Sequence, residues 1–133
     1  MNHQETVQNF ISEAFNRGNL TIIQDTIHPD YRCSSPTDTM ESPEELTGFI
    51  IALRAAFPDL HIAVTQQLES GSTVVTRIRF TGTHLGTFLD MPPTHRSVDI
   101  EGCIISQFKD GKILKEWEIL DQLTLLKQLG AAA

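Results

Sequence analysis

The stretch Ser97–Asp121, SVDIEGCIISQFKDGKILKEWEILD, decides the fold. Up to Phe108 it alternates, with Val98, Ile100, Gly102, Ile104, Ser106 and Phe108 on one parity and Asp99, Glu101, Cys103, Ile105 and Gln107 on the other. A period of two is the signature of a half-buried strand. Asp110-Gly111 then supplies a two-residue hairpin turn, and Lys112 to about Leu120 returns as an antiparallel strand. Counted at strict period two, this last strand puts Ile113, Lys115, Trp117, Ile119 and Asp121 on one face and Leu114, Glu116, Glu118 and Leu120 on the other. Glutamates are ordinary solvent residues, so the Trp117 face is expected to point inward, with Asp121 at the end of an apolar strand face.

Working back toward the N-terminus, the same alternation predicts a strand from about Thr73 to Thr83, with Val74, Thr76, Ile78 and Phe80 inward and Arg77 and Arg79 outward. Those two arginines are expected to meet solvent or a partner subunit, with pairing to Asp99 or Glu101 across the sheet one option and binding of a substrate anion another. Another strand is expected from Leu60, ending at the Ser70-Gly71-Ser72 turn. Before Leu60 the period lengthens. Ser42-Pro43-Glu44-Glu45 is a capping box that opens a helix with the apolar stripe Leu46, Phe49, Ile50, Leu53 and Phe57, closed by Pro58. Val7, Phe10, Ile11, Ala14 and Phe15 mark a first helix that stops at Gly18, and Leu20, Ile22, Ile23 and Ile27 a short second one ended by Pro29. Leu123 to Leu129 has room for a last helical turn or two. Helices first and antiparallel strands last mean an α+β domain, here a single one over residues 1–133. A strongly curved, mostly antiparallel sheet wrapped round the N-terminal helices is expected to leave an apolar pocket between them.

Composition excludes several classes of function. The formal charge of −7, with ten scattered basic residues, lacks the clustered cations that nucleic acid or an anionic membrane requires. No run approaches the ~18 apolar residues of a membrane span. The start, Met1 to Glu5, has no secretory pattern, so the cytoplasm is the expected compartment. Cys33 and Cys103 read as small packing residues. His3, His28, His61, His84 and His95 show no ligand spacing, so no metal is expected.

Asp121 has two readings. A carboxyl at the rim or floor of an apolar cavity loses hydration, which lifts its pKa and suits it to proton transfer near neutrality. Equally, Asp is a favoured N-cap, and Asp121 stands just before the Leu123–Leu129 segment. His84 either hydrogen-bonds a substrate carbonyl or fixes its own loop. Trp117 is core, substrate platform or both.

A set of short motifs spread along the chain bears on this choice: Phe57-Pro58-Asp59-Leu60, Thr81-Gly82-Thr83-His84-Leu85-Gly86-Thr87-Phe88-Leu89, Pro92-Pro93-Thr94, Asp110-Gly111-Lys112-Ile113, and Glu116-Trp117 through Asp121 to Gln128-Leu129-Gly130. In this order and spacing the chain resembles the SnoaL-like polyketide cyclases, of ester cyclase type within the nuclear-transport-factor-like, cystatin-like superfamily. The resemblance implies a cone-shaped α+β barrel and a homodimer or larger homo-oligomer formed through the sheet. It also implies cofactor-independent acid/base chemistry, an intramolecular aldol ring closure or related enolisation, on a hydrophobic carbonyl compound. By motif the catalytic aspartate is Asp121, with Trp117, Ile119, His84, Ser34, Phe57, Ile100 and Ile104 around the substrate. Ser34-Ser35-Pro36 departs from the family, which often carries His or Asn before that proline. An isomerase of the same fold and a non-catalytic small-molecule-binding or assembly module are the alternatives.

Overall fold

A computed structural model describes residues 1–131. The elements, in chain order, are α1 (His3–Phe10), continued by a π-helical turn (Ile11–Asn16), α2 (Ile22–Thr26), β1 (Ile27–Ser34), β2 (Thr39–Met40), α3 (Pro43–Ala56), β3 (His61–Ser70), β4 (Thr73–Thr83), β5 (Ser97–Lys109), β6 (Lys112–Leu120) and α4 (Gln122–Gln128). The six strands form one sheet in the order β2-β1-β6-β5-β4-β3. Every neighbouring pair is antiparallel except β1 and β6, which run parallel. The sheet is curved and open, with the helices laid against its concave face.

Most of the sequence expectations hold at this level. The Ser42 hydroxyl accepts the Glu45 N–H at 3.1 Å and so caps α3, while the Glu45 carboxylate accepts the N–H of Glu41 rather than that of Ser42. Asp110 and Gly111 both take positive φ, 54° and 78°, the type I′ geometry whose twist suits a hairpin. Arg77 pairs with Glu101 and Arg79 with Asp99 on the outer face. The second helix ends earlier than expected: Ile27 belongs to β1, whose register with β6 is irregular between Ile27 and Arg32, and this break accommodates Pro29. The π-helical turn delivers Asn16 to the edge of the sheet. There its side-chain amide donates to the Ile62 carbonyl at 2.9 Å and accepts the Ile62 N–H at 2.7 Å.

The core lies between the inner face and the helices. β4 contributes Val74, Ile78 and Phe80, β5 Val98, Ile100 and Phe108, α1 and the π-helical turn Val7, Phe10, Ile11 and Ala14, and α3 Leu46, Ile50, Leu53 and Ala56, all buried. Phe57, just after α3, packs edge-on against Phe80 and Phe88.

One irregularity reverses the reading of β6. Phe108 faces Ile113, but Gln107 faces Lys115, which leaves Leu114 without a partner. This is a β-bulge, one extra residue on one strand, and every side chain beyond it changes face. Ile113 is inward and fully buried, yet Glu116 lies opposite Ser106, Glu118 opposite Ile104 and Leu120 opposite Gly102, all inward positions of β5. Trp117 and Ile119 therefore point outward, at 43% and 63% exposure. The expectation that the Trp117 face is inward is corrected accordingly.

Candidate active site

The bulge carries two glutamates into the interior. Glu116 is clamped by hydroxyls from both flanking strands: the Tyr31 hydroxyl donates to its Oε1 at 2.8 Å and the Ser106 hydroxyl to its Oε2 at 2.6 Å. Tyr31 and Ser106 are fully buried. Cys33, two residues beyond Tyr31 on the same strand face, stands opposite Glu116 and brings a third buried polar group to the cluster. Glu118 lies two residues further along β6 on the same face and is partly buried. Neighbouring Gly102, Ile104 and Leu120 also keep partial exposure, so solvent reaches the interior at this point. Met40, opposite Cys33 on β2, is partly buried beside them. A Cβ at Gly102 would run into the Leu120 Cδ2 and meet the Ile119 carbonyl oxygen at 3.0 Å, so a larger residue there displaces the Leu120 side chain.

Burial governs the electrostatics. Loss of hydration raises the Glu116 pKa, opposed by the hydrogen bonds from Ser106 and Tyr31. Glu118 is pushed up to about 7, first by burial and then by the neighbouring Glu116 charge. Burial, followed by the two glutamates, lifts the Cys33 thiol to about 12, which leaves it un-ionised near neutrality and a poor nucleophile. Tyr31 is likewise held neutral, by burial and by Glu116. Among the described residues no ion pair involves either glutamate. The arrangement is a carboxyl group that titrates in the physiological range, next to a second carboxyl fixed by two donors, at a point where the interior opens. Such a group can take a proton from a carbon acid and return it to an oxyanion.

The residues expected from sequence are dispersed. Asp121 is exposed and forms the N-cap of α4, its carboxylate accepting the Thr124 N–H at 3.1 Å and the Thr124 hydroxyl at 2.7 Å. Those two bonds hold its pKa below the usual carboxylate range. It borders a groove of about 510 Å³ lined by outward Leu68, Val75, Cys103 and Ile119 and, at its edge, by Gly102 and Leu120. Ser34 is exposed and pairs with outward Trp117, so its hydroxyl is also outside. His84 is fully buried; its Nδ1 accepts the Thr94 N–H at 3.2 Å and fixes the loop between β4 and β5. Phe57 stacks beside it, with ring centroids 5.5 Å apart. Phe57 and Ile100 are core residues toward this other end of the sheet. Ile104 alone of the expected set lies next to Glu118.

Sequence reasoning missed Glu116, Glu118, Tyr31 and Ser106. One signal was present: Ile113, Leu114, Trp117, Ile119 and Leu120 fit neither parity, and two adjacent apolar residues early in an alternating strand mark an inserted residue. Among the described residues no group of three or more His, Cys, Asp or Glu is placed to hold a metal ion, and no helix is long and apolar enough to cross a membrane.

Comparison with known proteins bears on the fold and the family. The chain is 27% identical over 122 residues to aklanonic acid methyl ester cyclase DnrD of Streptomyces peucetius, covering 89% of this chain and 84% of that protein. It is 28% identical over 120 residues to nogalonic acid methyl ester cyclase of Streptomyces nogalater, covering 88% and 90%. Among solved structures, a SnoaL-like polyketide cyclase from Jannaschia sp. CCS1 superposes with a TM-score of 0.89 at 26% identity, over 98% of this chain and 92% of that one. The family profile described as SnoaL-like polyketide cyclase matches residues 5–129, nearly the full length over which helices, curved sheet and inward carboxylates have been traced. The chain belongs to the SnoaL-like polyketide cyclase family.

Proposed function

We propose that the protein is a cofactor-independent cyclase that closes a ring by intramolecular aldol addition in a hydrophobic polyketide ester, with Glu118 in the acid/base role that the family motif assigns to Asp121. The observation that carries this reading is the Glu118 carboxyl: inward-facing, partly buried, without a hydrogen-bond partner among the described residues, and titrating at about 7. Ionised Glu118 removes the proton from a carbon flanked by two carbonyls. The resulting enolate carbon attacks a second carbonyl of the same molecule, forming the C–C bond, and the alkoxide so produced takes the proton back from Glu118. Atoms balance within one substrate, with no redox partner. Ile104, Leu120 and Met40 supply the apolar surface around the carboxyl.

The test offers purified protein the methyl esters of aklanonic and nogalonic acid, the compounds named for its relatives. Glu118→Gln is expected to lower kcat by ~100-fold or more, the usual worth of a positioned acid/base, and Asp121→Asn to leave it nearly unchanged. The opposite pattern returns the role to Asp121.

A homodimer joined through the outer face of the sheet completes the reading. Leu68, Ile105, Trp117 and Ile119 are exposed together there, an apolar patch of the kind that marks an interaction surface. Trp117→Lys is expected to yield a monomer by sedimentation; an unchanged oligomer assigns the contact to another face. Cys33 and Cys103 are free thiols, which suits a reducing cytoplasm.

A further inference from the structure

Glu116 has no place in the proton transfer itself: both its oxygens are occupied, by Tyr31 and Ser106, and it sits deeper than Glu118. Burial raises the Glu116 pKa, and the two hydroxyl bonds, one on each oxygen, oppose that rise and favour its ionised form. Two donors from two different strands also fix its position. Glu118 stands two residues along the same strand face, roughly 7 Å away by the strand rise. At that separation in a partly dry interior, like charges oppose simultaneous ionisation.

We propose that Glu116 is a positioning residue for the cyclase site, a carboxylate locked in place by Tyr31 and Ser106 whose fixed negative charge makes Glu118 the stronger base, able to take the substrate's proton and hold it until the alkoxide takes it back. The inference rests on the reading of Glu118 as the acid/base. From α1, His3 stacks on Phe108, the next inward residue of β5 after Ser106, and its Nδ1 lies 3.8 Å from Glu69. From β1 the pair faces Tyr31 and Cys33, both un-ionised near neutrality. From β5 it faces Ser106 and Ile104, and from β4 the next inward residues, Val74 and Thr76, which do not titrate. α3 brings Leu46 and Ile50 to the core, with no charge. The electrostatics agree, since the Glu116 charge is the second cause, after burial, of the high Glu118 value.

The experiment is a carboxyl carbon NMR titration of the substrate-free protein, comparing wild type with Glu116→Gln, Tyr31→Phe and Ser106→Ala. Glu118 is expected to titrate near 7 in wild type. Its midpoint is expected to fall by about one pH unit in Glu116→Gln, and by less in Tyr31→Phe and Ser106→Ala, where Glu116 holds its charge less firmly. A Glu118 midpoint unchanged in Glu116→Gln overturns the inference. If that variant does not fold, the two hydroxyl variants decide: a lowered midpoint supports the coupling and an unmoved one overturns it. Because no substrate is needed, this outcome is separate from the cyclase reading, which stands or falls on turnover by Glu118→Gln.

Discussion

Replacing Glu118 with Gln is expected to stabilise the protein at alkaline pH and to do nothing at acid pH. The carboxyl titrates at 4.5 in an unstructured chain and at about 7 in the folded one. The folded state therefore holds the proton more tightly. Its contribution to stability is fully present below about 4.5 and is lost as pH rises through 7. A tenfold difference in proton affinity is worth about 1.4 kcal/mol, so wild type loses about 3 kcal/mol across that window that an uncharged glutamine does not. For a chain of this size the difference corresponds to about 10 °C in Tm. Groups that do not couple to Glu118 are common to both proteins and drop out of the comparison. Urea or thermal unfolding of the two proteins between pH 4 and 8.5 reads the effect directly. The curves are expected to coincide near pH 4 and to separate to about 3 kcal/mol above pH 8, with the variant the more stable. Parallel curves, or a variant less stable at pH 8, would mean that Glu118 is solvated and outward, and the inward face assigned to it would be wrong.

Other expectations follow from the same geometry. Asp121→Ala removes the cap of α4 and should lower Tm by a few degrees, whereas Asp121→Asn, which still accepts the Thr124 N–H, should leave it nearly in place; thermal unfolding distinguishes them. Phe57→Ala opens the aromatic cluster with Phe80 and Phe88 and should destabilise by about 3–5 kcal/mol, read from the urea midpoint, without moving the Glu118 titration. Gly102→Ala forces the Leu120 side chain away from β5 and should loosen the end of β6, seen as faster amide exchange at Leu120 and Asp121 than in wild type.

Much of the fold was legible because each element carried a local signal with one physical meaning. Ser42-Pro43-Glu44-Glu45 can start a helix but fits poorly inside a strand, Asp110-Gly111 takes the positive φ of a tight hairpin, and the Val74 to Phe80 alternation suits only a half-buried strand. The outward face of the β4 arginines followed from parity alone. The site was not legible for the same reason that the fold was: parity counting assumes that no residue is inserted. Leu114 breaks the count, and everything after it, Glu116 to Asp121, was assigned to the wrong face. Glutamate's preference for water reinforced the error, since nothing local announces that Tyr31 and Ser106, 85 and 10 residues away, will donate to Glu116. The alternative role of Asp121 as a helix cap could be read from sequence, because capping is local. The family motif instead located the right strand segment, three residues from the carboxyl that faces inward.

The pH dependence of kcat/KM in the ring-closure assay separates the two carboxyls most directly. With Glu118 as the base, the rate should rise tenfold per pH unit up to a midpoint near 7 and then level off. If the activity is already level at pH 5, the working group is one with a lowered pKa, as Asp121 has, and the assignment to Glu118 is contradicted.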